Sequence, residues 1–280
     1  MNTIHNFSAS LIQRTKQAGR YSTSGIYTST VNSFFRFVGH RSITFAELTP
    51  SLIKQYEDRL LGEGRRHNTI STYMRMLQAV YNRAVARKLA AFIPHQFRDV
   101  FTGRKADHRR VLERDDMQKL LVEREPDITS PGMAWARACL ELMFRFHGMP
   151  FVDLAHLRKS DLKDGYLTLR RRKTGMPLSA RVDGRAMQLL ERYRNRDDTS
   201  PYLLCFLDGN LEGMAAYRDY QRILRLLNSR LRALALWKKV QGKVTSYSAR
   251  HTWATVGRYC HIPIEVISEG LGHASVTTTE

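Results

Sequence analysis

Apolar residues recur at three- to four-residue spacing along most of this chain, and that spacing breaks between residues 96 and 111. The break constrains the fold more than any other feature. A helical period gives each segment one apolar face, which another element must cover. Two runs of such faces separated by a polar stretch therefore require two cores. The stretch includes Gly103-Arg104-Lys105-Ala106-Asp107-His108-Arg109-Arg110, which is basic, polar and glycine-bearing, so it reads as an interdomain linker. The chain has 280 residues, enough for two ordinary domains, and at 42% hydrophobic residues each can fill a core. The expected division is a domain at 1–100, a linker at 101–111 and a second domain at 112–280.

In the first domain, residues up to about 20 are polar and weakly patterned, with Leu11 and Ile12 able to dock a short helix. From Ser22 onward Ile26, Tyr27, Val31, Phe34, Phe35 and Val38 form a helical stripe that Gly39 can end. Thr49-Pro50 is a cap followed by a first-turn proline, and Leu52, Ile53, Tyr56 and Leu60 follow on one face. Asn68 or Thr69 then caps a helix with Ile70, Leu77, Val80 and Ala84 inside. The result is a small antiparallel helical bundle. Arg65, Arg66, Arg75, Arg83 and Arg87 give it one basic side. A solvated helix face is the usual fate of such arginines, but the recurrence of one sign favours phosphate contacts.

The second domain is mostly helical with a small sheet. Ser130-Pro131 starts a helix whose core stripe includes Trp135, Cys139, Leu142 and Phe146 and which ends at Gly148. Tyr166–Leu169 and Leu178–Val182 alternate on either side of Thr174-Gly175, which is a β-hairpin pattern. Asp183 caps a further helix, Tyr202–Leu207 is a strand or buried loop, and Tyr217 to Leu234 is a long amphipathic helix.

Lys plus Arg number 45 against 26 Asp plus Glu, for a net charge of +19 spread over most of the chain. A folded chain of that charge points to a polyanion, nucleic acid first. Cys139, Cys205 and Cys260 are scattered and fit reduced thiols. The histidines do not cluster at metal-ligand spacing, so no metal site is expected. No apolar run is long enough to span a bilayer, and the N-terminus lacks a signal pattern. A cytoplasmic protein acting on DNA, with no membrane partner, is the expectation.

Phosphate-binding side chains concentrate near the C-terminus. Ser246-Tyr247-Ser248-Ala249-Arg250-His251-Thr252-Trp253-Ala254-Thr255 opens a helical run, Leu271-Gly272-His273 follows it, and Lys173-Thr174-Gly175 forms the hairpin tip before both. Arginine forks onto two phosphate oxygens, and lysine and histidine donate to oxyanions and leaving oxygens. In this order the three pieces resemble the catalytic domain of the tyrosine recombinases, or phage-type integrases. The resemblance implies a SAM-like core-binding bundle followed by an α+β catalytic domain. It also implies strand cleavage and rejoining through a 3′-phosphotyrosine, with no metal, ATP or other cofactor. Arg250 and His273 then hold the phosphate, and Lys173 helps protonate the leaving oxygen. The implied partners are double-stranded DNA with inverted half-sites and a homo-tetramer on that DNA, with a monomer in its absence. The implied outcome is integration, excision or inversion of a mobile element in the bacterial cytoplasm or nucleoid.

Three positions depart from the family pattern. The family's first arginine falls in a turn that reads Gly148-Met149-Pro150, so proline takes its place. The phrase Gly-Met-Pro-Phe-Val-Asp-Leu resembles that of the Bacteroides-type branch, where the position is also not arginine. His147 or Arg145 can supply part of the missing positive charge and is expected to point toward the pocket. Tyr247 stands three residues before Arg250, where the family has His or Lys; it donates a hydrogen bond but is a poor base. Residues 274–280 match the Ser/Thr-rich segment that precedes the nucleophile, which places the attacking tyrosine just past Glu280. The catalytic domain is thus expected to be C-terminally incomplete and, alone, to form no covalent adduct; Tyr247 and Tyr259 have the wrong spacing.

Two other readings stay open on sequence alone: a non-catalytic DNA-binding protein of the same fold, and a helical transcription regulator or RNA-binding protein. The hairpin lysine separates the last of these from the enzyme, since a regulator has no need of it. All the DNA readings share one expected outcome. Duplex affinity measured across a salt series will fall steeply, because each neutralised phosphate releases condensed counterions. A flat response or a preference for RNA excludes them.

Overall fold

The computed structural model describes residues 3–105, 112, 114–121, 130–272 and 275. The chain divides into two compact units, Met1–His108 and Arg109–Glu280.

The first unit contains α1 (Ile4–Gln17), α2 (Tyr21–Val38), α3 (Pro50–Gly62) and α4 (His67–Ala86). The polar N-terminal stretch forms a full helix of 14 residues where a short one was expected. Ile4, Phe7 and Leu11 are buried on one face of it, and the Thr3 hydroxyl accepts from the Asn6 N–H at 3.2 Å as an N-cap. Thr49 caps α3 in the same way, accepting from the Leu52 N–H at 3.2 Å. The start of α4 differs from expectation. Its N-cap is Arg66, with no side-chain cap, because the Asn68 amide is engaged elsewhere. Asn68 Nδ2 donates to the Lys105 carbonyl and Asn68 Oδ1 accepts from the Lys105 N–H, both at 2.9 Å.

That pair belongs to a return strap. After α4 the chain runs back over its own bundle and is tied down at each step. Tyr81 Oη donates to the Ala91 carbonyl and accepts from the Ile93 N–H, both at 2.8 Å. Gln96 Nε2 donates to the Leu48 carbonyl. The Phe101 N–H donates to the buried Glu57 carboxylate at 2.6 Å, and Ser71 Oγ to the Gly103 carbonyl at 2.6 Å. The expected linker is therefore pinned over residues 101–105. The physical reason is that buried Glu57 and Ser71 need partners, and the strap's backbone supplies them. Residues 106–111 lie outside the described part.

The second unit runs α5 (Arg114–Leu121), α6 (Pro131–Arg145), α7 (Phe151–Ala155), a 3-10 turn at Lys159–Asp161, β1 (Leu162–Lys163), β2 (Tyr166–Arg170), β3 (Pro177–Arg181), α8 (Gly184–Arg192), α9 (Gly213–Trp237), α10 (Ser248–Tyr259) and α11 (Ile264–Leu271). Helix α6 is its hub and packs on α7, α8, α9 and α10. The hairpin gains a short third strand and forms an antiparallel sheet in the order β1-β2-β3. Leu167 faces Ala180 and Leu169 faces Leu178, so one side of the sheet is apolar and covers the core. Residues 202–207 form a buried loop held by isolated bridges Arg158–Tyr202 and Arg194–Leu204. Among the described residues no helix is long and apolar enough to cross a membrane.

The strap makes a testable case of Glu57. Glu57→Ala removes the acceptor for the Phe101 N–H and the partner of Lys54, whose Nζ lies 2.7 Å away. The expected loss is about 1–3 kcal/mol in urea unfolding, with faster proteolysis around residues 96–105. Unchanged protection of that segment would show that Glu57 does not hold it.

Candidate active site

Helix α10 delivers Arg250 into the body of the second unit. The helix starts at Ser248, whose Oγ accepts from the Thr245 N–H at 3.1 Å, and its inner face carries Ala249, Arg250 and Thr252. Arg250 is only 8% exposed. Its Nη1 donates to the Gly148 carbonyl at 3.1 Å and its Nη2 to the Leu271 carbonyl at 2.8 Å. One guanidinium thus joins the turn after α6 to the end of α11. Both turns use glycine for a stated reason. Gly148 has φ +66°, and a Cβ there would sit 2.9 Å from the Arg250 Cα. Gly272 has φ +61°, and a Cβ there would meet Arg171 Cδ and Nη1, both at 2.7 Å.

Arg171 lies near enough to Arg250 for its charge to act on that guanidinium. It follows β2 at the hairpin neck and is 4% exposed. Its Nε donates to Asp153 Oδ2 at 3.2 Å, while the Arg172 N–H donates to Asp153 Oδ1 at 3.0 Å. Asp153 itself is buried on α7. The sequence reading passed over Arg171, although a signal existed. Leu167 and Leu169 share one parity of β2, Arg171 continues it one residue past the strand, and that parity points at the core. A charge continuing an inward-facing apolar row is either paired or functional.

The electrostatics follow from burial. Arg250 is pushed down to about 10, first by burial and then by the nearby Arg171 charge; Tyr247 and Asp153 act in the opposite direction. Two buried guanidinium groups therefore face one buried carboxylate, and Arg171 Nη2 has no hydrogen-bond partner among the described residues. Positive charge is in excess, which suits an anion.

The other expected site residues are distributed as follows. Lys173 is exposed at the hairpin tip, two residues beyond Arg171. Tyr247 is half-exposed beside Arg250, where its hydroxyl favours the charged guanidinium, and its ring lies 5.1 Å from that of His251. His273 lies outside the described residues. Neither candidate for the missing charge supplies it. Arg145 is taken by structural partners, with Nε 3.0 Å from Glu141 Oε1 and Nη1 2.6 Å from Asp183 Oδ2. Glu141 is buried and draws in Arg185 as well, at 3.2 Å, so its demand for counter-charge decides where Arg145 points. His147 sits in the left-handed region at φ +55° with its ring 5.4 Å from Trp253, and burial lowers its pKa, which keeps it neutral at neutral pH. Pro150, in the place of an arginine, is the N-cap of α7; its carbonyl accepts from the Asp153 N–H at 2.9 Å.

In the first unit, several of the five basic-face arginines are partly occupied. Arg83 Nη1 donates to Tyr27 Oη at 2.8 Å, Arg87 lies 5.5 Å over the Phe7 ring, and Arg65 Nε is 3.5 Å from Glu63. Arg75 is half-buried. Arg66 is exposed and borders a cleft of about 830 Å³ between α2 and the start of α4. Small and polar residues line it, among them Ser22, Gly25, Ser29, Asn68 and Thr72, with Lys105 at its edge.

Comparison with known proteins settles the family. The family model for the phage integrase SAM-like domain matches residues 3–98, and that for the phage integrase family matches residues 110–280. The chain belongs to the phage integrase family. It is similar to the tyrosine recombinase XerA of Pyrococcus furiosus, 29% identical over 136 residues, which are 48% of this chain and 44% of that relative. The match thus spans less than half the length of that curated relative. Among solved structures, a lambda integrase dimer bound to a COC′ core site shares the integrase fold at a TM-score of 0.70, with 18% identity over 99% of this chain and 94% of that one. The Tn1549 transposon integrase in complex with transposon right end DNA gives 0.66, with 16% identity over 99% and 93%.

The glycine turns of this integrase site are open to test. Gly175 at the hairpin tip has φ +72° and open space around it, so Gly175→Ala carries only the backbone cost, about 1–2 kcal/mol. Gly148→Ala adds a clash with the Arg250 backbone and will lower the thermal midpoint more than Gly175→Ala does. Equal midpoints would mean that the turn does not seat Arg250.

Proposed function

We propose that this integrase-family chain is a tyrosine site-specific recombinase, which cleaves and rejoins duplex DNA through a 3′-phosphotyrosine and uses neither metal nor ATP. The observation that carries the reading is Arg250. A buried arginine that joins two glycine turns, beside a second buried arginine, makes an anion pocket at the heart of the unit. A mere DNA-binding protein gains nothing from it, since phosphate affinity is obtained from surface lysines and arginines without the cost of burial. Transfer of a phosphoryl group does gain. Charge grows on the non-bridging oxygens as the nucleophile attacks, and fixed donors in a dry pocket stabilise that charge without reorganising.

The roles follow from chemistry. Arg250 holds the scissile phosphate. Lys173, on a tip that reaches away from the body, protonates the leaving 5′ oxygen. His273 completes the pocket by its place in the Leu-Gly-His motif. Tyr247 orients Arg250 rather than acting as a base. The attacking tyrosine keeps the phosphodiester's energy in a covalent bond, which is why no ATP is needed. Residues 1–100 form the core-binding domain, 101–111 lead into the catalytic domain at 112–280, and Arg65, Arg66, Arg75, Arg83 and Arg87 supply phosphate contacts. The partners are double-stranded DNA with inverted half-sites and a homo-tetramer on it; a lambda integrase tetramer has been solved on a Holliday junction. The setting is the cytoplasm, where a mobile element meets its target DNA.

The test is a nicked suicide duplex incubated with the full-length protein and run on a denaturing gel. A covalent protein–DNA band is expected. Arg250→Ala will abolish the band while duplex binding changes only a few-fold, because one pocket arginine is a small part of the phosphate interface. If binding and cleavage fall together, Arg250 is structural; if the parent gives no band, the chain is a DNA-binding relative without strand cleavage.

A further inference from the structure

Pro150 leaves the phosphate pocket one arginine short, and neither Arg145 nor His147 fills the gap. We infer that Arg171, at the neck of the hairpin, is the second phosphate-binding arginine of this site. The inference rests on the recombinase reading above and adds to it a catalytic residue from a different element.

Four observations converge on Arg171. First, its guanidinium is buried yet incompletely used. Nε is held by Asp153 at 3.2 Å, but Nη2 has no partner among the described residues. A buried N–H left unpaired is costly, so such groups are retained where a ligand completes them. Second, Arg171 lies near enough to Arg250 to depress its pKa, behind burial itself. Two like charges in one dry pocket repel, and a phosphate between them turns that repulsion into attraction on both sides. Third, Gly272 makes way for it. Any side chain at that position would collide with Arg171 Cδ and Nη1, and Gly272 belongs to the Leu-Gly-His motif that the phosphate site is built on. The glycine's role there is to let Arg171 reach the same place as the Arg250 fork, which donates to the adjacent Leu271 carbonyl. Fourth, Asp153 fixes both the Arg171 side chain and the Arg172 backbone, so the guanidinium is pre-oriented.

Moving the arginine from a helix turn to a hairpin has a consequence. Arg171 accepts from the Gly175 N–H through its own carbonyl at 2.8 Å and donates to the Met176 carbonyl at 2.9 Å, so it closes the tip that carries Lys173. Charge stabilisation and leaving-group protonation then depend on one piece of backbone. A phosphate seated on Arg171 also places Lys173.

The experiment compares two nicked duplexes in the full-length protein. One has a normal phosphodiester at the cleavage position. The other has a methylphosphonate, in which a methyl group replaces a charged non-bridging oxygen. On the phosphodiester, Arg171→Ala is expected to form covalent adduct about 100-fold or more slowly than the parent. On the methylphosphonate there is no negative charge to neutralise, and the two proteins should differ by less than about tenfold. Equal deficits on both duplexes would make Arg171 a structural partner of Asp153 and overturn the inference, as would a variant as fast as the parent on the phosphodiester. Should Arg171→Ala unfold, Arg171→Lys keeps the charge and loses the fork, and the same pattern across the two duplexes is required of it. A parent that forms no adduct on either duplex sinks the recombinase reading itself, whereas a cleaving parent matched by its variant sinks only the role of Arg171.

Discussion

The second unit depends on a guanidinium that should be expensive. Arg250 gives up most of its hydration, yet its position is over-determined by two carbonyls from turns distant in sequence. The Leu271 carbonyl ends α11, where orphan acceptors need donors anyway, and the Gly148 carbonyl lies in the turn between α6 and α7. The arginine therefore caps α11 and ties that turn to it. The Asp153 charge and the Tyr247 hydroxyl favour the charged form and make the burial tolerable, and the remaining positive excess is what an anion answers.

Asp153 is the second constraint, and it connects helix to sheet. Pro150 caps α7 and so fixes the turn of helix on which Asp153 stands. From there one buried carboxylate fastens the hairpin neck through a side chain and a backbone N–H. A proline that removes a cation from the usual turn thus sits in the element that secures another cation on the sheet. The substitution is easier to understand as a relocation of charge than as a loss.

The sequence made some of this legible and hid the rest, for physical reasons. The long helices of both units, the Thr49 and Asp183 caps and the hairpin were readable because each rests on local spacing. Arg250 was readable because its neighbours form a motif of unusual length. The first helix was read too short because its buried residues are few and surrounded by polar ones, while the Thr3 cap that defines its start is a single hydroxyl. Arg145 was misassigned because nearness along the chain says nothing about a buried Glu141 competing for it. Arg171 was hidden among Arg170, Arg172 and Lys173, where composition blurs four charges into one basic run; only the strand's parity separates the inward one.

The same distinction between charge counted and charge available governs the first unit. A net charge of +19 describes the chain, but a cation that donates to a phenol or lies over an aromatic ring is partly spent on the fold. Arg83 and Arg87 hold α4 to α2 and α1 in this way, though each remains exposed on its outer side. Arg66 and Lys105 differ: they flank a cleft lined by Gly25 and small hydroxyl residues. The helix of α4 begins at that cleft without a side-chain cap, so its first N–H groups add to the positive rim. Asn68 pins the Lys105 backbone at the edge of the cleft. The strap that stabilises the bundle therefore also sets one of the charges at its mouth, although Asn68 itself carries none.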